Sequence, residues 1–473
     1  MKKVFENFIY QSIYQVLLII LPIITIPIIS DTLGPTGVGT FNYVYSITNY
    51  FILFIGLGLA NYGVREIAQV RESKQKLSQK FWELQIFNFV ISAAVLTLFF
   101  IITSYLKYSN YYLILSLAVF GYMLDITWFY SGIEEFKMIT TANGIVKLIG
   151  FLLIVTLIHD KSDLGKYILI QSSNILLSQL ILWFFIRNKI FFIRVRLREV
   201  FAHFLPALSY FIGKLAVTLY TNLNKTLLGV LATITAVGYY TNSLQLVIIV
   251  VALMGSLDTV LMPKMSHLQA NKKEDEMIEL LTKVIHLEIF VTIPAMFGIL
   301  ATNQKLIGWF FGEKFSYIEK IVPFFAPLVI IIPLGTAIMR QYLIPMKQIK
   351  QYNFSVILGA FLGVVINILL IPQIGIWGAV IATLISELMV TGLRVSELMK
   401  KTTFRFSIHQ ILKYFVSGLV MLIIIELFSS SMRSSPVTTL IQMTVGLIVY
   451  MAATFILKAN PIVDMIKFLR KKI

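Results

Sequence analysis

The sequence predicts an all-α polytopic membrane protein with 14 transmembrane helices, and three observations predict it. Hydrophobic residues make up 58% of the 473, charged residues only 13%, and the mean hydropathy is +0.84. A water-soluble fold needs far more polar surface. Apolar stretches of the roughly 20 residues that a spanning helix needs fill nearly the whole chain. Lys and Arg are sorted so unevenly among the connecting loops that they define an orientation.

The expected spans are Phe8–Ser30, Thr40–Tyr62, Phe81–Ser104, Tyr111–Ser131, Ile139–Ile158, Tyr167–Ile186, His203–Val230 and Val237–Met262. They continue with Val284–Thr302, Ile321–Ile344, Tyr352–Ile371, Ile376–Ser396, Gln410–Phe428 and Val437–Leu457. Pro22 and Pro27 fall in the first and Pro323, Pro327 and Pro333 in the tenth, where proline frees backbone carbonyls and permits bending. No loop is long enough to fold as a separate domain. In the segment Asn303–Lys320, Trp309, Phe310 and Phe311 read as an interfacial anchor. Asn271–Lys283 reads as a short amphipathic surface helix, with Met277, Leu280 and Leu281 at helical spacing. Its acidic run, Glu274 to Glu276, reads as a solvated helix N-terminus rather than a metal site. The basic segment Arg187–Arg198 is the candidate hinge between halves.

With an even number of spans and both termini cytoplasmic, 30 of the 40 Lys and Arg face inward and seven face outward. The remaining three, Lys147, Lys214 and Lys225, fall inside spans. The net charge of +17 is therefore mostly an orientation signal that also suits anionic headgroups, and a nucleic-acid partner is excluded. Without cysteine the chain has neither disulfides nor thiolate chemistry. Lys2 and Lys3 precede a long apolar run with no small-residue cleavage site before Pro22, as expected of an uncleaved first span.

The two halves echo each other at an offset of 199 residues: Val38-Gly39 aligns with Val237-Gly238, and Phe41 with Tyr240. A second echo joins Leu164-Gly165 to Trp377-Gly378, each opening the sixth helix of its half. These matches predict two pseudo-symmetric six-helix bundles, a parallel repeat about an axis normal to the membrane. The expected boundaries are 1–190 for the first lobe, 191–400 for the second and 401–473 for two extra C-terminal helices.

The stretches DTLGPTGVGTFNYVYSITNYF (Asp31–Phe51), GLGLANYGVREIAQVR (Gly56–Arg71) and LDITWFYSGIEEFK (Leu124–Lys137) carry a resemblance. So do LYTNLNKTLLG (Leu219–Gly229) and IPQIGIWGAVIATLISE (Ile371–Glu387). Together they resemble bacterial polysaccharide flippases of the multidrug/oligosaccharidyl-lipid/polysaccharide exporter superfamily. The resemblance implies translocation of an undecaprenyl-diphosphate-linked oligosaccharide from the cytoplasmic to the outer leaflet, for capsule or another surface polysaccharide. It implies alternating access around a central cavity in the bacterial cytoplasmic membrane, with membrane lipid and a polysaccharide polymerase as partners. It implies no cofactor and no metal. Relatives commonly carry Asp before the basic residue of the LYT segment, whereas this chain has Asn224.

Ionisable residues inside spans are candidates in their own right, since a central charge costs about 2.5–3.5 kcal/mol on insertion scales and usually faces a bundle interior or water. Lys214 and Lys225 share the seventh span eleven residues apart, hence on one helix face about 16 Å apart along the axis. With Asn222 and Asn224 they suit an anionic diphosphate and its sugars along a basic cavity wall. Snorkelling of Lys225 and pairing of Lys214 with a carboxylate is the alternative. Asp125 and Lys147 lie at similar depth on antiparallel neighbours and are expected to form a structural ion pair, or else a coupling site. Glu387 is placed near the middle of the twelfth span, and Asp258 near the inner end of the eighth and solvated. Either could be a counter-charge or coupling acid. Arg65, Glu66, Glu134 and Glu135 stand at the cytoplasmic mouth, where such charges more often set loop geometry than bind substrate.

An intramembrane polysaccharide-assembly enzyme is the rival from another class. The chain holds no Asp-x-Asp, no HExxH and no P-loop motif, and no large outer loop rich in Arg or His. Nothing in the sequence makes it an enzyme. Two nearer rivals keep the fold, a multidrug exporter and a lipid II-type flippase.

Overall fold

The computed structural model describes residues 2–461, and everything regular in it is helical. Among the described residues twelve segments are long and apolar enough to cross a membrane. The first of these, Ile13–Val70, is 58 residues long and contains the second expected span and all of the first from Ile13 onward. A further 28-residue helix, Phe204–Leu231, covers the expected seventh span but is not among the twelve. The C-terminal basic residues from Lys467 onward lie outside the described residues.

Contacts divide the chain into two units, 1–229 and 230–473. The first contains α1 (Lys2–Gly56), α2 (Leu59–Val70), α3 (Lys74–Ser104), α4 (Ser109–Met123), α5 (Thr127–Gly132), α6 (Phe136–Leu157), α7 (Leu164–Ile186), the short α8 (Leu197–Phe201) and α9 (Phe204–Leu231). The expected link between the first two spans is itself helical, broken only at Gly34, whose φ of 67° is left-handed. The local cause is Pro35, which bars the helical region to the residue before it, and glycine adopts the alternative without a Cβ penalty. Pro22 and Pro27 sit inside helix, so the break falls at Gly34 instead. At the other end of α1, Leu57 and Gly58 both take positive φ and stop the helix.

The expected fourth span is not continuous: α4 stops at Met123, Leu124–Ile126 are irregular, and α5 resumes for six residues. The core around this break is aromatic. Phe81 stacks on Trp128, meets Phe129 and Trp183 edge-on, and is fully buried with Phe129 and Tyr130. The candidate hinge at 187–198 is fastened to α3: the Phe191 N–H donates to Ser78 Oγ at 3.2 Å, and Trp82 Nε1 donates to the Phe191 carbonyl at 3.1 Å.

The second unit contains α10 (Ile234–Ala270), α11 (Glu274–Phe310), α12 (Val322–Phe325), α13 (Leu328–Ile338), α14 (Ile349–Ile374), α15 (Ile376–Lys401), α16 (Ile408–Ser429) and α17 (Pro436–Ile456). The expected surface helix after Asn271 is in fact the first turns of α11, a single 37-residue helix that buries Met277, Ile278 and Leu281. The predicted aromatic anchor is largely core: Phe310 and Phe311 are buried, and Trp309 donates to Thr439 at 2.8 Å. The tenth span is broken near its prolines into α12 and α13, then continues as one π-helical turn, Met339–Leu343. The last two helices dock on α11, where Tyr450 donates to the Phe290 carbonyl at 2.9 Å. A Cβ on Gly418 would stand 2.3 Å from Phe297.

Each aromatic residue of the first echo meets a long helix of its own unit. Phe41 packs edge-on against Tyr167 of α7, and the Tyr240 hydroxyl lies 2.8 Å from Thr383 Oγ1 of α15. These are the two helices opened by the second echo.

Gly58 supplies the fold's most exacting test. At φ 83°, a Cβ there would stand 2.3 Å from the Ala207 carbonyl oxygen. Gly58→Ala is expected to destabilise the protein by more than about 2 kcal/mol through backbone strain and displacement of α9. Thermal unfolding of purified protein in detergent checks this, with Gly298→Ala, where nothing lies within 4 Å, as the neutral control.

Candidate functional site

Helix α9 carries Lys214 and Lys225, and side chains along its length attach it to the first unit. Near its start His203 donates Nε2–H to Glu83 Oε2 at 3.2 Å, while its Nδ1 lies 2.7 Å from the Tyr62 hydroxyl. Two turns further, Phe211 contacts Phe54 at 5.2 Å between ring centroids. Toward its end Asn49 donates to Asn222 Oδ1 at 3.4 Å, and Thr226 Oγ1 lies 2.8 Å from Ser46 Oγ and 3.1 Å from the Tyr50 hydroxyl. Gly229 lets Tyr43 approach, for a Cβ would meet that ring at 2.2 Å. The expected lobe boundary at 190/191 and the contact division at 229/230 thus differ by the segment that includes this helix.

Lys214 is exposed and Lys225 half-buried, as are Asn222 and Asn224. The Lys214 ammonium reaches to 4.0 Å from the point a Cβ on Gly56 would occupy. The charge that acts on Asp125 is that of Lys214, not Lys147. The expected Asp125–Lys147 pair does not form among the described ion pairs. Asp125 Oδ1 instead accepts from the Thr127 N–H at 2.9 Å and its hydroxyl at 2.7 Å, and Lys147 is exposed. A local hydrogen bond two residues away requires no second helix, so it prevails over the longer-range pairing.

Asp125 sits in the break between α4 and α5, and the surrounding side chains satisfy what the break leaves free. Gln85 and Asn88 donate to the Met123 carbonyl at 3.1 and 3.0 Å, and Trp183 Nε1 donates to the Leu124 carbonyl at 2.7 Å. Trp128 Nε1 donates to the Asp125 carbonyl at 2.9 Å, and the Ile126 N–H donates to Gln179 Oε1 at 3.2 Å.

Of the charges expected at a cytoplasmic mouth, Glu134 and Glu135 are each engaged by a basic residue from outside that set. Arg71 donates to Glu134 at 2.5 Å and Lys189 to Glu135 at 2.5 Å. The Glu134 carboxylate in turn holds the Arg71 guanidinium charge more firmly, raising its pKa. Arg65 donates to the Tyr210 hydroxyl at 3.3 Å, and Glu66 is half-buried. Sequence reasoning passed over Glu83, which is 4% exposed and accepts from Lys80 at 2.6 Å and Gln79 at 2.9 Å besides His203. Its acid at helical spacing from Lys80 was the available signal.

In the second unit Glu387 is half-buried on α15. Asp258 is not solvated as expected but fully buried, because α10 continues past the expected span end to Ala270 and α11 and the π turn cover it. A cavity of about 320 Å³ in the second unit, with Lys350, Arg394, Glu397 and Lys400 in its lining, has none of Lys214, Lys225, Asn222 and Asn224 among its lining residues.

Twelve candidate spans among the described residues, some of them interrupted, make this a multi-pass membrane protein in its architecture. Two family models match it: "Polysaccharide biosynthesis protein" over residues 4–269, and "Lipid II flippase MurJ" over residues 141–446. The chain belongs to the polysaccharide flippases of the multidrug/oligosaccharidyl-lipid/polysaccharide exporter superfamily. A protein of Escherichia coli K12 named as an O-antigen transporter is 23% identical over 82% of this chain and 95% of its own length. One from Haloferax volcanii named as a low-salt glycan biosynthesis flippase is 24% identical over 48% of each chain. Among solved structures, the lipid II flippase MurJ in an inward closed conformation superposes with a TM-score of 0.74 at 16% identity, over 97% of this chain and all of its own. A eukaryotic MATE transporter gives 0.55 at 13% identity, over 85% of this chain and 96% of its own.

If Asp125 organises the helix break through Thr127, Asp125→Asn keeps the acceptor and Asp125→Ala does not. Asp125→Ala is expected to cost about 1–3 kcal/mol more than Asp125→Asn in thermal unfolding. Its effect should add to that of Lys147→Ala within about 0.5 kcal/mol, as for uncoupled sites.

Removing Glu83 leaves His203 and Lys80 without their common acceptor. Glu83→Ala is expected to destabilise by about 3 kcal/mol, as for a broken buried pair, against a small effect for exposed Glu279→Ala. The same unfolding measurement compares them.

Proposed function

We propose that this protein flips an undecaprenyl-diphosphate-linked oligosaccharide from the cytoplasmic to the outer leaflet for capsule or other surface polysaccharide synthesis. It crosses the bacterial cytoplasmic membrane 14 times with both termini inside. The repeat groups residues 1–190 and 191–400 as lobes that alternate access around a basic cavity, with 401–473 as two added helices. Lys214 and Lys225 line the path, Asn222 and Asn224 meet the sugars, and a surface-polysaccharide polymerase receives the product. No catalysis, metal or cofactor is required.

The observation that carries this reading is an exposed lysine at mid-helix, Lys214, in a chain of this family. In hydrocarbon that charge is costly, so it must meet water or an anion, and a diphosphate supplies the anion. The names borne by the two curated relatives support a lipid-linked glycan as cargo. Loss of the gene should abolish the polymer and leave lipid-linked oligosaccharide on the cytoplasmic side. Lys214→Gln, at equal membrane abundance, should reduce export at least tenfold. Wild-type export by that variant removes Lys214 from the path.

A second reading is favoured by the match to the MurJ family model over residues 141–446, namely transport of lipid II itself. Reconstituted vesicles presented with lipid II and with a lipid-linked oligosaccharide lacking peptide separate the two. Transport of the first alone establishes the second reading.

A further inference from the structure

The second unit encloses two acids that face each other. Asp258 of α10 is 0% exposed and Glu288 of α11 is 2% exposed, and their carboxyl groups lie within hydrogen-bonding reach. The Gln341 amide, carried by the π turn and also fully buried, donates to Asp258 Oδ1 at 2.6 Å. Among the described residues no donor reaches Asp258 Oδ2 or either oxygen of Glu288, and Gln341 Oε1 is likewise without a partner. Beside the pair, Arg340 Nη1 donates to the Gly255 carbonyl at 2.7 Å and to Thr259 Oγ1 at 2.5 Å, where its charge acts on Asp258.

Two ionised carboxylates in contact and out of water repel strongly, and neither can donate to the other. One proton resolves both difficulties: it makes one carboxyl a donor to its neighbour and leaves a single negative charge opposite Arg340. The other charged or titratable groups on these elements are Tyr239, Tyr240, Lys264 and His267 on α10, Glu274, Asp275, Glu276, Glu279, Lys283, His286 and Lys305 on α11, and Tyr342 on the π turn; the neighbouring helices add Glu387, Arg394, Glu397, Lys400 and Lys401 on α15, His409, Lys413, Tyr414 and Glu426 on α16, and Tyr450 on α17. None of them is among the groups that act on the pair. Arg394 is occupied by the Gly335 carbonyl at 3.0 Å and Ser355 at 3.2 Å.

We infer that Asp258 and Glu288 form a binding site for a single proton, whose occupancy holds α10, α11 and the π turn together. A metal cation fits less well. The two carboxyl groups lie within hydrogen-bonding reach of each other, the Gln341 amide aims a donor at Asp258, and no group of three or more His, Cys, Asp or Glu side chains that could hold a metal occurs among the described residues. Release of the proton would place two like charges in contact, so the packing around the pair must open or hydrate for it to leave. Single π turns within α-helices often mark functional positions, and this one brings both Arg340 and Gln341 to the pair. Proton occupancy thereby biases the second unit between two arrangements. Only the transport consequence of that bias rests on the flippase reading.

The test uses purified full-length protein in lipid nanodiscs, without substrate, so its result is independent of what is transported. Infrared difference spectroscopy at neutral pH should show a protonated-carboxyl C=O band that shifts in D2O. The band should disappear in Glu288→Gln and, separately, in Asp258→Asn. Because either partner's removal abolishes a shared proton, one well-folded variant is enough to assign the band. Thermal stability should fall as pH rises in wild type, and this slope should flatten in Glu288→Gln, whose amide still donates toward Asp258. Absence of the band in wild type, or its persistence in a folded variant, overturns the inference. So does displacement of the band by sodium at constant pH, which would make the ligand a metal cation.

Discussion

An apolar surrounding gives an unpaired backbone group no water to bond with, and the interruptions of the helices depend on that constraint. An uninterrupted helix satisfies itself; a broken one does not. The break at Leu124–Ile126 alone frees several carbonyls and an N–H, each costing several kcal/mol if orphaned. Gln85, Asn88, Gln179, Trp128 and Trp183 supply the partners. That requirement explains why amides lie buried in α3 and α7, otherwise apolar helices. The break in turn directs Asp125 toward Thr127, so a residue that looks like a lone intramembrane charge is part of the backbone's own satisfaction.

Small residues set where α9 can lie. Gly58 and Gly229 allow it to approach the second arm of α1 at both ends, and polar side chains on the same face fix its register. Lysines on a helix held at this many points keep their direction relative to α1. A loosely packed helix could rotate its cations into hydrocarbon, which the attachment opposes.

The sequence made the helical class legible because apolar runs of spanning length need no tertiary information. The two echoes were legible as short matches, and Phe41 and Tyr240 each meet the helix opened by the second echo in their own unit. Interruptions were less so. Proline suggested bends at residues 22 and 27, yet Gly34-Pro35 is where the chain leaves helical geometry, since a proline inside a spanning helix can be accommodated by its neighbours. Depth was misread at Asp258 because hydropathy ends the eighth span at Met262, while the helix continues to Ala270 and its neighbours close over the acid. Glu288 lies thirty positions from Asp258 on another helix, and no local pattern announces such a partner. Glu83 was hidden for the same reason, its histidine being 120 residues away.

The intramembrane charges end in three different situations, and the difference is one of solvation. Asp125, Glu83 and Arg394 are surrounded by hydrogen-bond partners, so their charges are compensated by fixed dipoles and serve the fold. Asp258 and Glu288 are buried against each other with only Gln341 and Arg340 nearby, so compensation is incomplete without a proton. Lys214 is exposed and feels Asp125 only through space, so its charge remains available to an anion. A charge already satisfied by its own fold has little to gain from a ligand. An uncompensated charge has the most to gain from a partner, and the exposed Lys147 and Lys214 and the acid pair between α10 and α11 are charges that this fold leaves least compensated.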